Sequence, residues 1–471
     1  MRSVLLRLYH TLPARARTVA ASMHGLLLRH WRYGPETERL VEEALERDRW
    51  SPEQWSSSRE QRLAYMLHRA ATRVPYYSNH WAARRRRGDH ASWEYIEHWP
   101  ILDKESLRAN PRAFLADDCA PRSMYRDHTS GTSGTPLDLW CSRTTVRAWY
   151  ALFEARVRRW YGVSRFDRWA ILGGQLVTAA TQRRPPYWVW NAGLRQLYMS
   201  SYHLSPHAIP AYLDALIRYR VKYVLGYSSA LDALAREAVA AGRTDVRLAV
   251  AIANAEPLLE HQREAISAAF GCPVRETYGM AETVAAASEC EFGVLHQWPE
   301  VGWIEVLEDG RPVVPGKAGE LVCTTLLNTD MPLIRYHVGD RGATEDRGRS
   351  CGCGRALPIL RGIEGRSDDV LYTPDGRRVG RLDPVFKGGL PLREAQVIQE
   401  TLDLVRLRYV PAPGFQSVHG RVLVQRLQER LGRIHVVLEE VSQIPRTRNG
   451  KFRAVICELS RAERAQVHAG R

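Results

Sequence analysis

Lysine is scarce in this chain, and its first 35 positions hold no acidic residue at all. The net charge of +15 therefore comes mainly from arginine. No apolar run reaches the roughly 18 residues that a membrane-spanning helix needs, so no spanning segment is expected. Cysteine is thin as well. Eight residues, unevenly spaced over 471, exclude a disulfide scaffold and fit a reducing, cytoplasmic setting. The apolar runs near the N-terminus are short and interrupted, and no small-residue cleavage site follows them, which argues against a secretory signal. No internal repeat is evident. No Gly-Lys-Ser/Thr follows a glycine-rich loop at the spacing of a Walker A motif.

What is present begins with Thr129-Ser130-Gly131-Thr132-Ser133-Gly134-Thr135-Pro136, a run of hydroxyls and glycines without one bulky side chain. Met124-Tyr125-Arg126 and Leu137-Asp138-Leu139-Trp140 flank it as short strands, so it reads as the loop of a hairpin. Glycine lets the main chain approach a ligand closely. Successive N–H groups there form a concave anion site to which hydroxyls add donors. Such a loop suits polyphosphate; a solvated linker is the alternative.

Residues 37–47 read as a helix with Thr37 as N-cap, and residues 59–73 as another that Val74-Pro75-Tyr76-Tyr77 ends. Arg143–Tyr161 fits a helix, followed by an apolar strand at Trp169–Leu172. Between Pro206 and Gly279 helices alternate with short apolar strands, which implies a mostly parallel sheet covered on both faces. Ligands bind beyond the carboxyl ends of such strands. Asn254-Ala255-Glu256-Pro257 and Tyr278-Gly279-Met280-Ala281-Glu282 sit at two of those ends. From about residue 295 the pattern changes to short strands with Asp-Gly and Pro-Gly turns, among them Val301–Leu307, Gly319–Thr325 and Leu333–His337, which suggests an antiparallel sheet or barrel. The last hundred residues read as strand, strand, helix, strand. The expected fold class is thus α/β. A large domain has mostly parallel sheets flanked by helices plus a strand-rich antiparallel part, and a small α+β domain follows. The expected divisions are a helical region at 1–110, a large domain at 111–367 and a small domain at 368–471.

Residues 1–35 combine Arg2, Arg7, Arg15, Arg17, Arg29 and Arg32 with leucines and Met23. A helix packed on the main body with its arginines in water is the favoured reading, since amphipathic helices usually serve cores. Weak peripheral contact with an anionic membrane is the alternative. Arg84-Arg85-Arg86-Arg87 reads as a solvated helix end. It lacks the interleaved aromatics of a single-strand nucleic-acid binder, so no nucleic-acid partner is expected.

Four features stand in order: the 129–136 loop, Tyr278-Gly279-Met280-Ala281-Glu282, Arg335-Tyr336-His337-Val338-Gly339-Asp340, and Pro445-Arg446-Thr447-Arg448-Asn449-Gly450-Lys451. Together they resemble the core motifs of the adenylate-forming superfamily. Val74-Pro75-Tyr76-Tyr77, Ala255-Glu256-Pro257, Cys351-Gly352-Cys353-Gly354-Arg355 and Gly365-Arg366-Ser367-Asp368-Asp369 resemble its phenylacetate–coenzyme A ligase and CapK-like branch. The resemblance spans about residues 35–460. It implies adenylation of a small carboxylic acid by ATP and Mg²⁺, followed by transfer to coenzyme A. Ser130, Gly131, Thr132, Ser133, Gly134 and Thr135 would hold the β- and γ-phosphates, with Thr135 standing where the branch often has lysine. Tyr278 and Gly279 would lie against adenine, with the Ala255-Glu256-Pro257 backbone lining the same pocket. Asp340 would bind the ribose hydroxyls, Arg366 would assist near ribose or phosphate, and Glu282 would bind Mg²⁺. Lys451, in the small domain, would reach the substrate carboxylate and α-phosphate, with Asp368 as the hinge that makes this domain mobile. Tyr202, His203, Gly226, Tyr227 and Ser228 are candidates for the acyl pocket.

Cys351-Gly-Cys353 is a tight pair, and Cys290 with His296 makes a second. Three thiolates and one imidazole form the donor set of a closed structural zinc site, which related ligase-branch proteins also carry. Cysteines that are merely buried are the alternative. Two other functions stay open. One passes the acyl group to an amine or a carrier thiol, as the CapK resemblance with its capsule and exopolysaccharide setting suggests. The other is a non-catalytic basic binding protein on the same fold.

Overall fold

A computed structural model describes residues 8–128, 137–179, 181–205, 207–345, 351–366, 371–373, 378–379, 382–386, 390–447, 452–460 and 462–464. The segments beside the hydroxyl-rich loop pair as expected. β1 (Tyr125–His128) and β2 (Asp138–Cys141) are antiparallel, with His128 opposite Asp138.

The apolar runs that follow build the central sheet. Its members are β3 (Trp169–Gly173), β4 (Trp188–Asn191), β5 (Gln196–Ser200), β6 (Tyr223–Tyr227), β7 (Val250–Asn254), β8 (Val274–Gly279), β9 (Ala286–Glu289) and β10 (Leu295–Gln297). Their order is β10-β9-β8-β7-β6-β3-β5-β4. The stretch from β8 to β5 is parallel, and β9 and β4 join it antiparallel. Parallel strands need cover on both faces. Helices Ile209–Arg218, Ser228–Ala240 and Glu260–Phe270 supply it on one, through Leu213, Leu216, Leu231, Leu234, Ile266 and Phe270. Helices Thr37–Arg47 and Arg143–Phe153 supply the other, through Val41, Ala44, Ala151 and Leu152.

The strand-rich region is an antiparallel sheet of β11 (Gly302–Glu308), β12 (Arg311–Pro312), β13 (Gly319–Thr325), β14 (Tyr336–Thr344) and β15 (Leu360–Arg366), ordered β12-β11-β13-β14-β15. Helices Pro52–Arg73 and Pro75–Arg85 share one core with it, where Leu67, Tyr77 and Trp81 belong with Leu321, Ile334 and Tyr336. The C-terminal residues hold a separate core around Val397, Leu407, Leu423 and Leu427. Here β16 (Leu371–Tyr372) and β17 (Arg378–Val379) pair. Strands β18 (Leu392–Gln399), β19 (Leu404–Pro411), β20 (His435–Glu440) and β21 (Val455–Cys457) form a mixed sheet beside helix Ser417–Leu431. The α/β class, the parallel sheet with its antiparallel companion and the small C-terminal α+β unit therefore agree with the sequence reading.

Several local expectations need correction. Thr37 is not an N-cap: it is the first helical residue, and its hydroxyl accepts from the Gly34 N–H at 2.8 Å. The second helix starts at Pro52, because Ser51 and Gln54 close a capping box there. Val74-Pro75-Tyr76-Tyr77 ends one helix and also opens the next, with Pro75 in the first turn where its missing N–H costs nothing. The strand placed at 333–337 runs from Tyr336 to Thr344 and so carries Asp340 in its interior. The helix Ala14–Arg32 packs on the body as favoured, with Arg15 and Arg29 exposed, but it does not bury its large apolar residues. Arg17 is buried, donating to Thr178 and, at 3.1 Å, to Gln182, while Val19, Met23, Leu26 and Leu27 are exposed.

Candidate active site

The parallel strand β8, next to β7 in the sheet, ends beside β14. Tyr278, next to last in β8, donates its hydroxyl to Asp340 Oδ2 at 2.8 Å. Backbone pairing with Ala287 fixes the β8 end of this contact, and the register of β14 on β15 sets Asp340 opposite Arg366. Burial, and then the neighbouring Asp340 carboxylate, push the Tyr278 phenol well above its usual pKa, so it remains a donor at neutral pH. Gly279, beside it, is exposed at the strand end.

Glu282 follows in the turn after β8 and is buried, 7 % exposed. Its Oε1 accepts from Lys104 Nζ at 3.2 Å and from the Tyr336 hydroxyl at 3.1 Å. Leu102 makes this possible. It pairs with Tyr336 as a single parallel bridge, its N–H donating to the Arg335 carbonyl and its carbonyl accepting from the His337 N–H, both at 2.9 Å. That bridge delivers helix Lys104–Ala109, capped by Asp103, to the Glu282 carboxylate. Arg335 locks the start of β14 by pairing with buried Glu305 at 3.1 Å and donating to the Trp99 carbonyl at 2.9 Å. Sequence reading missed Lys104 and Tyr336. The available signal was the rarity of lysine together with the Leu102-Asp103-Lys104 step after an extended Pro100. The carboxylate suits a hard divalent ion, and the ammonium already beside it shows that this position favours positive charge.

The loop after β7 carries the third group. Ala255 adopts φ +63°, an uncommon left-handed conformation for a residue with a Cβ. The turn sends the Glu256 side chain toward the small C-terminal unit. Glu256 Oε2 accepts from the Ser229 N–H at 3.0 Å, and Oε1 accepts from the Phe452 N–H at 2.7 Å. Its carbonyl accepts from Ser228 Oγ at 3.1 Å. Burial pushes the Glu256 carboxyl up, partly offset by these donors and by Arg446. Ala255 and Pro257 stay exposed, as backbone lining a pocket would require. The residue after Lys451 thus docks at the carboxyl ends of the parallel strands. Lys451, the loop residues Ser130, Gly131, Thr132, Ser133, Gly134 and Thr135, and the hinge Asp368 lie outside the described residues. Arg366 is placed by its backbone alone.

Three tyrosines stand around the ends of β3, β5 and β6. The Tyr202 hydroxyl donates to the Gly174 carbonyl at 2.7 Å, and the Tyr198 hydroxyl accepts from the Gln175 N–H at 3.2 Å. Burial pushes the Tyr227 phenol up to about 12. Two other candidates for the acyl wall serve packing. His203 spans Ser200 Oγ at 2.8 Å and the Ala179 carbonyl at 3.1 Å while stacking on Tyr187. At Gly226 a Cβ would stand 2.9 Å from the Leu172 carbonyl, so glycine is needed for β6 to lie against β3.

The four metal candidates come together. Cys290 follows β9, His296 lies in β10, and Cys351 and Cys353 precede β15; their donor atoms all lie within 4.8 Å of one another. Cys290 Sγ is 3.6 Å from Cys351 Sγ, and Cys353 Sγ is 3.3 Å from His296 Nε2. Zinc–sulfur bonds of about 2.3 Å set tetrahedral sulfur–sulfur edges of about 3.8 Å, so the thiol spacing fits that ion. His296 Nδ1 is 3.3 Å from the Leu357 carbonyl, which orients the ring with Nε2 toward the thiols.

The model of the AMP-binding enzyme family matches residues 56–327, and that of the CapK C-terminal domain matches residues 371–458. Protein CapK of Staphylococcus aureus is 23% identical over 378 residues, covering 77% of this chain and 80% of that protein. The phenylacetate-coenzyme A ligase of Escherichia coli (strain K12) is 28% identical over 326 residues, covering 66% of this chain and 71% of the ligase. Among solved structures, a 2-hydroxyisobutyryl-CoA ligase in the postadenylation state superposes with a TM-score of 0.63 at 20% identity, over 88% of this chain and 91% of that one. No helix among the described residues is long and apolar enough to cross a membrane. With the AMP-binding model covering more than half of its length, the chain belongs to the AMP-binding enzymes, in the phenylacetate–coenzyme A ligase and CapK-like branch of the adenylate-forming superfamily.

Proposed function

We propose that the chain activates a small carboxylic acid with ATP and passes the acyl group to coenzyme A. A carboxylate oxygen attacks the α-phosphorus and pyrophosphate leaves; the coenzyme A thiolate then attacks the acyl carbon and AMP leaves. The observation that carries this reading is the bond from the Phe452 N–H to Glu256, which ties the residue following Lys451 to the strand ends where Tyr278 and Asp340 meet. In it, Ser130, Gly131, Thr132, Ser133, Gly134 and Thr135 hold the triphosphate. Tyr278 and Gly279 border adenine with the backbone of Ala255, Glu256 and Pro257, Asp340 takes the ribose, and Arg366 assists from the neighbouring strand. Glu282 holds Mg²⁺, which when bound neutralises phosphate charge. Lys451 balances charge as it passes from carboxylate to phosphate. We take 1–110 as the helical region, 111–367 as the large domain and 368–471 as the small one, swinging about Asp368.

Supplying a panel of aryl, fatty, amino and uronic acids with ATP should give AMP release for one class, with a thioester formed only when coenzyme A is present. Lack of acid-dependent AMP release across the panel would overturn the reading. A second acceptor class, an amine or carrier thiol, is favoured by the match of the small C-terminal unit to the CapK C-terminal domain. AMP release with no thioester in the presence of coenzyme A would select it.

We also propose that Cys290, His296, Cys351 and Cys353 hold a structural zinc that pins β15 to the edge of the central sheet. Protein purified under reducing conditions should carry about one zinc per chain. Cys353→Ser should lose the metal and lower the thermal midpoint, and a metal-free wild type with an unchanged midpoint would refute the assignment.

A further inference from the structure

The helix Ala14–Arg32 turns its apolar side away from the protein. Val19, Met23, Leu26 and Leu27 sit at i, i+4, i+7 and i+8, the spacing of one helix face, and are 57–65% exposed. Leu8 and Leu12 extend the exposed apolar surface before the helix. The inner side is polar and small. Arg17 reaches Thr178 and Gln182, and Ser22 Oγ accepts from the Ala192 N–H at 3.1 Å. Gly25 and Gly193 let the helix backbone touch the body: a Cβ on Gly25 would stand 1.8 Å from Asn191 Oδ1, and one on Gly193 would stand 2.5 Å from the Leu26 nitrogen. Only glycine fits both places, so the helix cannot roll to bury its leucines.

Leu26 and Arg29 also border a cavity of about 480 Å³ between the helix and the body. Arg32, Arg158, Arg165 and Arg195 line it further. Arg158 is paired with Glu154 at 3.0 Å and Arg165 with Glu38 at 2.5 Å, which leaves Arg29, Arg32 and Arg195 as the wall's arginines without a carboxylate partner among the described residues. Arg165 Nη1 is buried there without a hydrogen bond, and Arg195 is fixed by its donation to the Phe166 carbonyl at 2.8 Å. An apolar stripe thus adjoins a concentration of guanidinium groups, on a segment whose first 35 residues contain no acid.

We propose that this face docks the protein on an anionic phospholipid surface. The stripe of Val19, Met23, Leu26 and Leu27 enters the boundary between headgroups and acyl chains, and the arginine-lined cavity receives lipid phosphates. The helix lies in the plane of the surface and does not cross it. Charge selects this occupant over a second copy of the chain, since a symmetric pairing would set Arg29, Arg32 and Arg195 against the same three arginines.

Cosedimentation of the full chain with vesicles tests the proposal. Wild-type protein should bind vesicles of phosphatidylcholine with phosphatidylglycerol, bind phosphatidylcholine alone far less, and lose binding as salt rises. Met23→Glu combined with Leu27→Glu should cut the bound fraction about tenfold, and Arg29→Glu about fivefold, with circular dichroism and acid-dependent AMP release unchanged. Wild-type protein left in solution with anionic vesicles would overturn the proposal, and so would a double variant that binds as wild type does. Non-binding protein that is dimeric as wild type and monomeric as the double variant would instead assign the face to a second copy. None of these outcomes depends on the catalytic reading.

Discussion

Lys451→Ala is expected to lower carboxylate-dependent pyrophosphate exchange by about a hundredfold to a thousandfold, the loss typical when one charge-stabilising group is removed from a reacting centre. Stability is expected to stay at the wild-type level, which the thermal midpoint checks. The docking contact should also survive, since Glu256 accepts from the main-chain N–H of Phe452, which the substitution leaves in place. Substrate binding to the large domain and folding of the small one would therefore persist while the chemical step fails. Lys451→Arg keeps the charge but replaces a compact ammonium with a planar fork, so partial activity at most is expected. Exchange at the wild-type rate in Lys451→Ala would remove the lysine from the reaction. It would also leave the Glu256–Phe452 contact as a purely structural tie.

Much of this site could be read along the chain because its motifs are local. Tyr278, Glu282 and Asp340 are short-range signals at strand ends, and the cysteine pairs announce themselves by type. What escaped was made by tertiary contact. Lys104 meets Glu282 only because Leu102 bridges to Tyr336 far along the sequence. With five lysines in the chain, the position of this one was the only hint. The sequence pattern places the strand carrying Asp340 too early, at 333–337 instead of Tyr336–Thr344. Gly339 takes φ +82° inside that strand, whose pairing to its neighbours is irregular, so the local pattern missed the element's extent. The N-terminal helix shows the same limit more sharply. Periodicity says which residues share a face; whether that face is buried was decided by Gly25 and Gly193, which bring two backbones together and leave the leucines outside.

The largest stability effect is expected at Arg156, which is fully buried in the helical stretch that follows Phe153. It donates to Asp48 Oδ1 at 2.9 Å and, through both terminal nitrogens, to Glu300 at 2.7 and 2.9 Å. Trp160 Nε1 donates to the second Asp48 oxygen at 2.8 Å, and Arg47 pairs with Glu300 at 2.9 Å. The network joins helix Thr37–Arg47, helix Arg143–Phe153 and the loop leading into β11. Arg156→Met keeps most of the volume but leaves the buried Asp48 and the partly buried Glu300 carboxylates short of a cation, which should cost about 3–5 kcal/mol. The pH dependence separates charge from packing. Burial raises the Glu300 carboxyl, but Arg156 and Arg47 more than offset this and hold it below the usual range. A carboxyl whose folded pKa is depressed contributes stability above its unfolded pKa and loses that contribution as pH falls through the folded value. Asp48 has the opposite sign: burial pushes it up despite Arg156, so in the variant it takes a proton first as pH falls. The deficit of Arg156→Met, followed as the urea midpoint by tryptophan fluorescence, should therefore be greatest near neutral pH and shrink toward about pH 4 as both carboxyls protonate. A deficit of equal size at both pH values would mean that lost packing, not the uncompensated carboxylates, sets the cost.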